Sequence, residues 1–169
     1  MSGTIPAKLL AEYYYPNPDA ERKMNPFNEL KQVKTLLVDD DELIRDSLSM
    51  AFKNKGCSMR VAGTAEEGLQ AINEEKFDII ISDFRLPGMN GLEFLKLATI
   101  NHPDTVNILI TAYRDEYLFT EAVRIGVTEF IDKPFSVKAL VTLLALSMKR
   151  KTKNASSNKR KHRISTDNR

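Results

Sequence analysis

At 169 residues, with 42% hydrophobic and 28% charged residues, the chain has the size and composition of one globular domain with extensions, and no apolar run long enough to cross a bilayer. Its net charge of +2 conceals two opposed parts: Lys149 to Arg169 holds nine Lys or Arg against one Asp, a net +8 that leaves −6 on the rest. The single cysteine, Cys57, excludes an internal disulfide or a multi-thiolate metal site, and the N-terminus lacks a secretion signal's charged start and apolar core, so a cytoplasmic location is expected.

Residues 1–33 contain Pro6, Pro16, Pro18, Pro26 and the triplet Tyr13 to Tyr15, with no sustained period. They are expected to be an extension, disordered in part and docked in part through Leu9, Leu10 and the tyrosines. Regular patterning covers residues 34–150. Thr35 to Val38 reads as a short buried strand ending in Asp39-Asp40-Asp41. Leu43 to Lys55 follows as a helix with Ile44, Leu48, Ala51 and Phe52 on one stripe, stopped at Gly56. Ser58 to Val61 is a second strand, and Thr64-Ala65-Glu66-Glu67 is a capping box opening a helix that turns Ala65, Leu69 and Ile72 inward. The wholly apolar, β-branched run Ile79 to Ile81 suits a strand buried on both faces, and it leads to Asp83. Pro87, Gly88 and Gly91 then turn the chain into a helix from Leu92 to Ile100. Val106 to Ile110 forms a fourth strand ending on Thr111-Ala112, and Asp115 to Ile125 a helix halted by Gly126. Glu129 to Ile131 is the fifth strand, followed by Asp132-Lys133-Pro134-Phe135 and a last helix from Ser136 to about Arg150. Beyond it, residues 151–169 are rich in Lys, Arg, Asn and Ser without apolar spacing and read as a disordered basic tail.

Five alternations of strand and helix with short connections call for an α/β fold, a doubly wound five-stranded parallel sheet covered by helices on both faces. In such sheets the carboxyl ends of the strands gather ligands and chemistry. Strands one, three, four and five end in Asp39/Asp40, Asp83, Thr111 and Lys133. Carboxylates about 4 Å apart repel by on the order of 4 kcal/mol at an effective dielectric near 20, and a divalent cation relieves that cost. Oxygen donors without His or Cys point to a hard ion such as Mg²⁺ (or Mn²⁺). Asp83 is then the candidate nucleophile toward phosphorus, Lys133 a second positive charge for phosphoryl oxygens, and the Thr111 hydroxyl a donor to one of them. Plainer roles compete residue by residue: Asp39 to Asp41 as helix caps, Thr111 as an N-cap, Lys133-Pro134 as a surface turn. The four strand ends taken together favour the acid-metal-phosphate site.

Leu36-Leu37-Val38-Asp39-Asp40-Asp41, Asp78-Ile79-Ile80-Ile81-Ser82-Asp83-Phe84-Arg85-Leu86-Pro87-Gly88-Met89-Asn90-Gly91, Ile110-Thr111-Ala112 and Asp132-Lys133-Pro134-Phe135 resemble the receiver, or phosphoacceptor, domain of bacterial two-component response regulators, here of the stand-alone type. The likeness runs from about Lys34 to Arg150. It implies a flavodoxin-like (βα)5 fold with strand order 2-1-3-4-5, and a signalling module rather than a turnover enzyme. It also implies phosphoryl transfer to Asp83 from a histidine kinase or phosphotransfer protein. By the same resemblance Asp40, Asp83 and the backbone carbonyl of Arg85 hold Mg²⁺, Asp39 acts through a water, and Thr111, Ala112 and Lys133 meet the phosphoryl group. Thr111 and Phe130 take the positions of the family's switch pair, with the face of the fourth helix, fifth strand and last helix as the output surface for a protein target or a homodimer. A buried core ring is the plainer role for Phe130. Arg85 and Tyr113 lie beside the pocket, where they could tune the lifetime of the acyl phosphate.

Apolar residues spread over two faces of the last two helices, so something must cover the second face: a second copy, a protein target, or the Tyr13 to Tyr15 segment. Asp39-Asp40-Asp41 also has the Asp-x-Asp form of haloacid-dehalogenase-type phosphatases, with Asp39 as nucleophile. The run Lys159-Arg160-Lys161-His162-Arg163 could associate with nucleic acid, but a solubilising tail is the expected role; no membrane partner is expected.

Overall fold

The structure is a computed structural model that describes residues 25–112 and 116–166. A short 3-10 helix, η1 (Pro26–Leu30), leads into β1 (Lys34–Val38), α1 (Glu42–Asn54), β2 (Ser58–Ala62), α2 (Ala65–Glu74), β3 (Ile79–Asp83), α3 (Gly91–Asn101), β4 (Val106–Thr111), α4 (Glu116–Arg124), β5 (Val127–Asp132) and α5 (Val137–Thr166). All four strand pairings are parallel, in the order β2-β1-β3-β4-β5. This is the doubly wound sheet that the sequence pattern predicts.

Alternation along the strands divides the core into two layers. Leu37, Ile79, Ile81, Ile108, Ile110 and Ile131 pack on one side with Leu48 and Phe52 of α1 and Leu140, Val141 and Leu144 of α5. Leu36, Val38, Ile80 and Leu109 pack on the other with residues of α2, α3 and α4, among them Ile72, Phe94, Leu95 and Leu118. Every residue of β3 and β4 is buried, as strands with helices on both faces must be.

Local signals set the helix starts. The Asp41 carboxylate accepts from the backbone N–H groups of Leu43 and Ile44 at 2.9 and 3.3 Å, capping α1. Thr64 Oγ1 caps α2 by accepting from Glu67 N at 3.2 Å, but the Glu67 carboxylate accepts from Gly63 N at 2.7 Å rather than from the cap residue, so the expected box is shifted by one. Asn90 and Glu93 form the reciprocal capping box of α3. At Gly91 a Cβ would lie 1.8 Å from the Asp83 carbonyl oxygen, so only glycine lets α3 begin against the end of β3. Gly56, with φ of 68°, ends α1 in the left-handed region.

Two expectations from sequence need correction. The pattern places all of residues 1–33 in an extension, yet Leu30 is fully buried, Val33 is buried, and the Phe27 ring meets Phe52 edge-on with centroids 5.6 Å apart. The folded unit therefore includes Pro26 to Val33. Five residues were too few to show a period, but η1 packs against α5, and Phe27 joins Leu143 and Met148 around the core that holds Leu30. The Tyr13 to Tyr15 segment lies outside the described residues.

The second correction concerns residues 151–166; residues 167–169 lie outside the described residues. α5 does not stop near Arg150 but continues to Thr166. That stretch lacks Gly and Pro, Lys and Arg are good helix formers, and the packed half of α5 already supplies the costly nucleus. Lack of an apolar stripe signals lack of packing, not lack of helix. Among the described residues no helix is long and apolar enough to cross a membrane.

Leu30→Ala removes a fully buried side chain and is expected to cost about 2–5 kcal/mol, seen as a lower urea midpoint. An unchanged midpoint would place η1 outside the cooperative core.

Candidate functional site

The sheet order carries the site. β1, β3, β4 and β5 lie side by side, so Asp39, Asp83, Thr111 and Lys133 line one edge in that order. Phe84 N donates to the Ile110 carbonyl at 2.8 Å and Lys133 N to the Thr111 carbonyl at 2.9 Å, tying the loops after β3 and β5 to the end of β4. Lys133-Pro134 is a cis peptide.

Asp39, Asp40 and Asp83 each offer a carboxylate oxygen, all within 4.8 Å of one another. Asp39 is fully buried and Asp83 nearly so, while Asp40 is exposed. Lys133 Nζ bridges the buried pair, 2.7 Å from Asp83 Oδ2 and 3.2 Å from Asp39 Oδ2. The other Asp39 oxygen accepts from Asp41 N at 2.9 Å. Arg85 N lies 3.4 Å from Asp83 Oδ1.

The charges respond accordingly. Burial pushes the Asp39 carboxyl above its ordinary value; the Asp41 N–H and Lys133 oppose this, and the neighbouring Asp83 adds to it. For Lys133, burial is the largest single influence and acts downward, but the hydrogen bonds and charges of Asp83 and Asp39 together outweigh it and raise the ammonium pKa. One cation between two carboxylates leaves the cluster short of positive charge. Three clustered oxygen donors, one of them open to water, fit a hard divalent ion that retains part of its hydration shell.

The three consecutive aspartates divide their work: Asp39 faces Lys133, Asp40 joins the carboxylate cluster, and Asp41 is the helix cap. Thr111 is buried at the last position of β4, and Ala112 is exposed just beyond it. Arg85 is exposed next to Asp83. Phe130 is half-buried, with its ring 4.9 Å from that of Phe119 on α4. Tyr113 lies outside the described residues. Sequence reasoning missed Arg45, whose Nη1 donates to the Asp39 carbonyl at 2.7 Å. It also missed Glu129, a buried acid of β5 paired with Arg150 of α5. Its signal was the alternation Val127, Glu129, Ile131, which sets a carboxylate among core-facing positions.

Known proteins bear on this arrangement. The family model of the response regulator receiver domain matches residues 35–145. The chain belongs to the response regulator receiver family. Response regulator protein FleR of Pseudomonas aeruginosa is 36% identical over 112 residues, which are 66% of this chain and 24% of FleR. Transcriptional regulatory protein FixJ of Bradyrhizobium diazoefficiens is 30% identical over 108 residues, 64% of this chain and 53% of FixJ. This chain thus spans about a quarter to a half of those two relatives. Among solved structures, a CheY-like receiver domain protein of Methanospirillum hungatei superposes with a TM-score of 0.69 at 30% identity, covering 72% of this chain and 98% of its own.

Receiver membership removes the dehalogenase-type phosphatase reading. The Asp39 carboxylate is fully buried, with one oxygen on Asp41 N and the other on Lys133, and is not presented as a nucleophile.

A raised carboxyl pKa means that the stability Asp39 contributes is present below its ordinary value of 3.8 and lost as pH rises through the higher folded value. At neutral pH the charged group is a net cost. Asp39→Asn is therefore expected to raise the urea midpoint in metal-free buffer at pH 7 and to shrink the further rise that millimolar Mg²⁺ gives the unaltered chain. A lower midpoint for the variant would contradict this electrostatic account.

Proposed function

We propose that this receiver accepts a phosphoryl group on Asp83 from a histidine kinase or phosphotransfer protein. The carrying observation is the placement of Asp83: its carboxylate closes a cluster with Asp39 and Asp40 and touches Lys133 Nζ at 2.7 Å. In the transfer, one Asp83 oxygen forms a bond to phosphorus as the P–N bond of a phosphohistidine breaks, and the imidazole leaves with the bonding pair. Lys133 neutralises charge on the phosphoryl oxygens, while Thr111 and Ala112 line the position that receives them.

Asp40, Asp83 and the backbone carbonyl of Arg85 would hold Mg²⁺ (or Mn²⁺), with Asp39 acting through a water. Bound there, the ion supplies the positive charge that lets a carboxylate approach a phosphoryl dianion. The chain acts as an acceptor and relay, not as a turnover enzyme.

Output runs through the face of α4, β5 and α5. Tyr117, Phe119 and Val123 of α4 are exposed, and Phe119 rests on Phe130, the aromatic member of the proposed switch pair with Thr111. Movement of the Thr111 hydroxyl toward a phosphoryl group would free space for the Phe130 ring and alter this apolar surface for a protein target or a second copy. Phe130 has no hydroxyl, so such a switch works by packing alone.

Incubation with acetyl phosphate and Mg²⁺ is expected to add one phosphoryl group, located to Asp83 by mass spectrometry of borohydride-reduced peptides. Asp83→Asn is expected to abolish the adduct and Lys133→Ala to slow its formation on the order of 100-fold. An adduct on Asp39, or labelling unaffected by removal of Mg²⁺, would overturn the assignment.

A further inference from the structure

α5 has thirty residues, and no Asp or Glu is among them. At 1.5 Å per residue it is about 45 Å long. Its first half packs through Leu140, Val141 and Leu144. Two ion pairs then mark the point where it leaves the core: Lys149 Nζ with Glu29 Oε1 of η1 at 3.3 Å, and Arg150 with Glu129 of β5. Ser147 Oγ, 3.2 Å from Glu129 Oε1, adds a third tie at the same level. The helix is held at its exit by elements on either side of it, so the continuation is presented in a fixed direction.

From Lys151 to Thr166 the helix runs on for about 24 Å. Thr152 to Ala155 are exposed. This stretch carries Lys151, Lys153, Lys159, Arg160, Lys161 and Arg163, whereas the folded part of the chain is net acidic. A continuous helix whose sequence carries this charge is a preformed polyelectrolyte arm: its backbone is already ordered, so binding a polyanion need not first order it.

We propose that this helical arm binds the phosphate backbone of nucleic acid without sequence preference. An anionic membrane is the weaker fit, because an interfacial helix needs an apolar face and Lys151 to Thr166 offers only Ala155 and Ile164. Duplex DNA, with one negative charge per about 1.7 Å of axis, matches a cationic rod of this length, and the gain comes from counterion release. Acidic charge on the folded part confines the contact to the arm.

The test uses the full chain, a mixed-sequence fluorescein-labelled duplex and fluorescence anisotropy over a range of salt. If about four phosphates are neutralised, affinity falls about a hundredfold between 50 and 200 mM salt. Exchanging the duplex for another of equal length is expected to change little. The combined substitution Lys159→Ala, Arg160→Ala, Lys161→Ala and Arg163→Ala is expected to abolish measurable binding while leaving phosphorylation of Asp83 by acetyl phosphate intact, which reports a folded receiver. No binding at 50 mM salt would overturn the proposal, as would equal binding by the substituted chain. Retention on phosphatidylserine vesicles without DNA binding would also overturn it and reassign the arm to a membrane surface.

Discussion

The contact on which the site depends is the bridge from Lys133 to the carboxylates of Asp39 and Asp83. Both acids sit at strand ends, and burial and the neighbouring Asp83 disfavour the charge of Asp39. An ammonium between them makes the arrangement tolerable and leaves a residual demand for positive charge. That demand is what the proposed function would use, because a cluster fully satisfied by protein cations would have no use for a metal ion or a phosphoryl dianion. Lys133 arrives from the loop after β5, so the interaction also spans the sheet from β1 to β5 and depends on the strand order.

The surroundings of the bridge are built from short-range devices. Asp41 starts α1 beside the site, Gly91 allows α3 to begin against the Asp83 carbonyl, and the Phe84 and Lys133 amides are anchored to β4. Each is a local backbone solution, and together they leave the side chains of the candidate site little freedom to drift. Preorganisation of this kind matters for phosphoryl transfer, where the protein contributes mainly position and charge.

Much of this was legible in the sequence because periodicity and strand-end chemistry agree. The apolar run Ile79 to Ile81 ending at Asp83, the turn at Pro87 to Gly91 and the lysine after the fifth strand each have a local physical reason. What escaped was non-local or too short to have a period. Nothing in Pro26 to Leu30 announces that Phe27 will meet Phe52 or that Leu30 will be fully buried. Glu129 and Arg150 were each visible as charges, but their pairing is a product of how α5 lies across β5. The continuation of α5 was missed for a different reason: amphipathicity reports burial, and a helix that leaves the core has none to report.

The docking of η1 has a practical consequence for anyone grafting this module into another protein. A splice made at Lys34, where the first strand begins, would discard Leu30 and Phe27 and leave Phe52 facing water. The graft would keep every residue of the candidate site and still bring a sticky seam along its flank. A transferable cassette has to be cut upstream of Pro26.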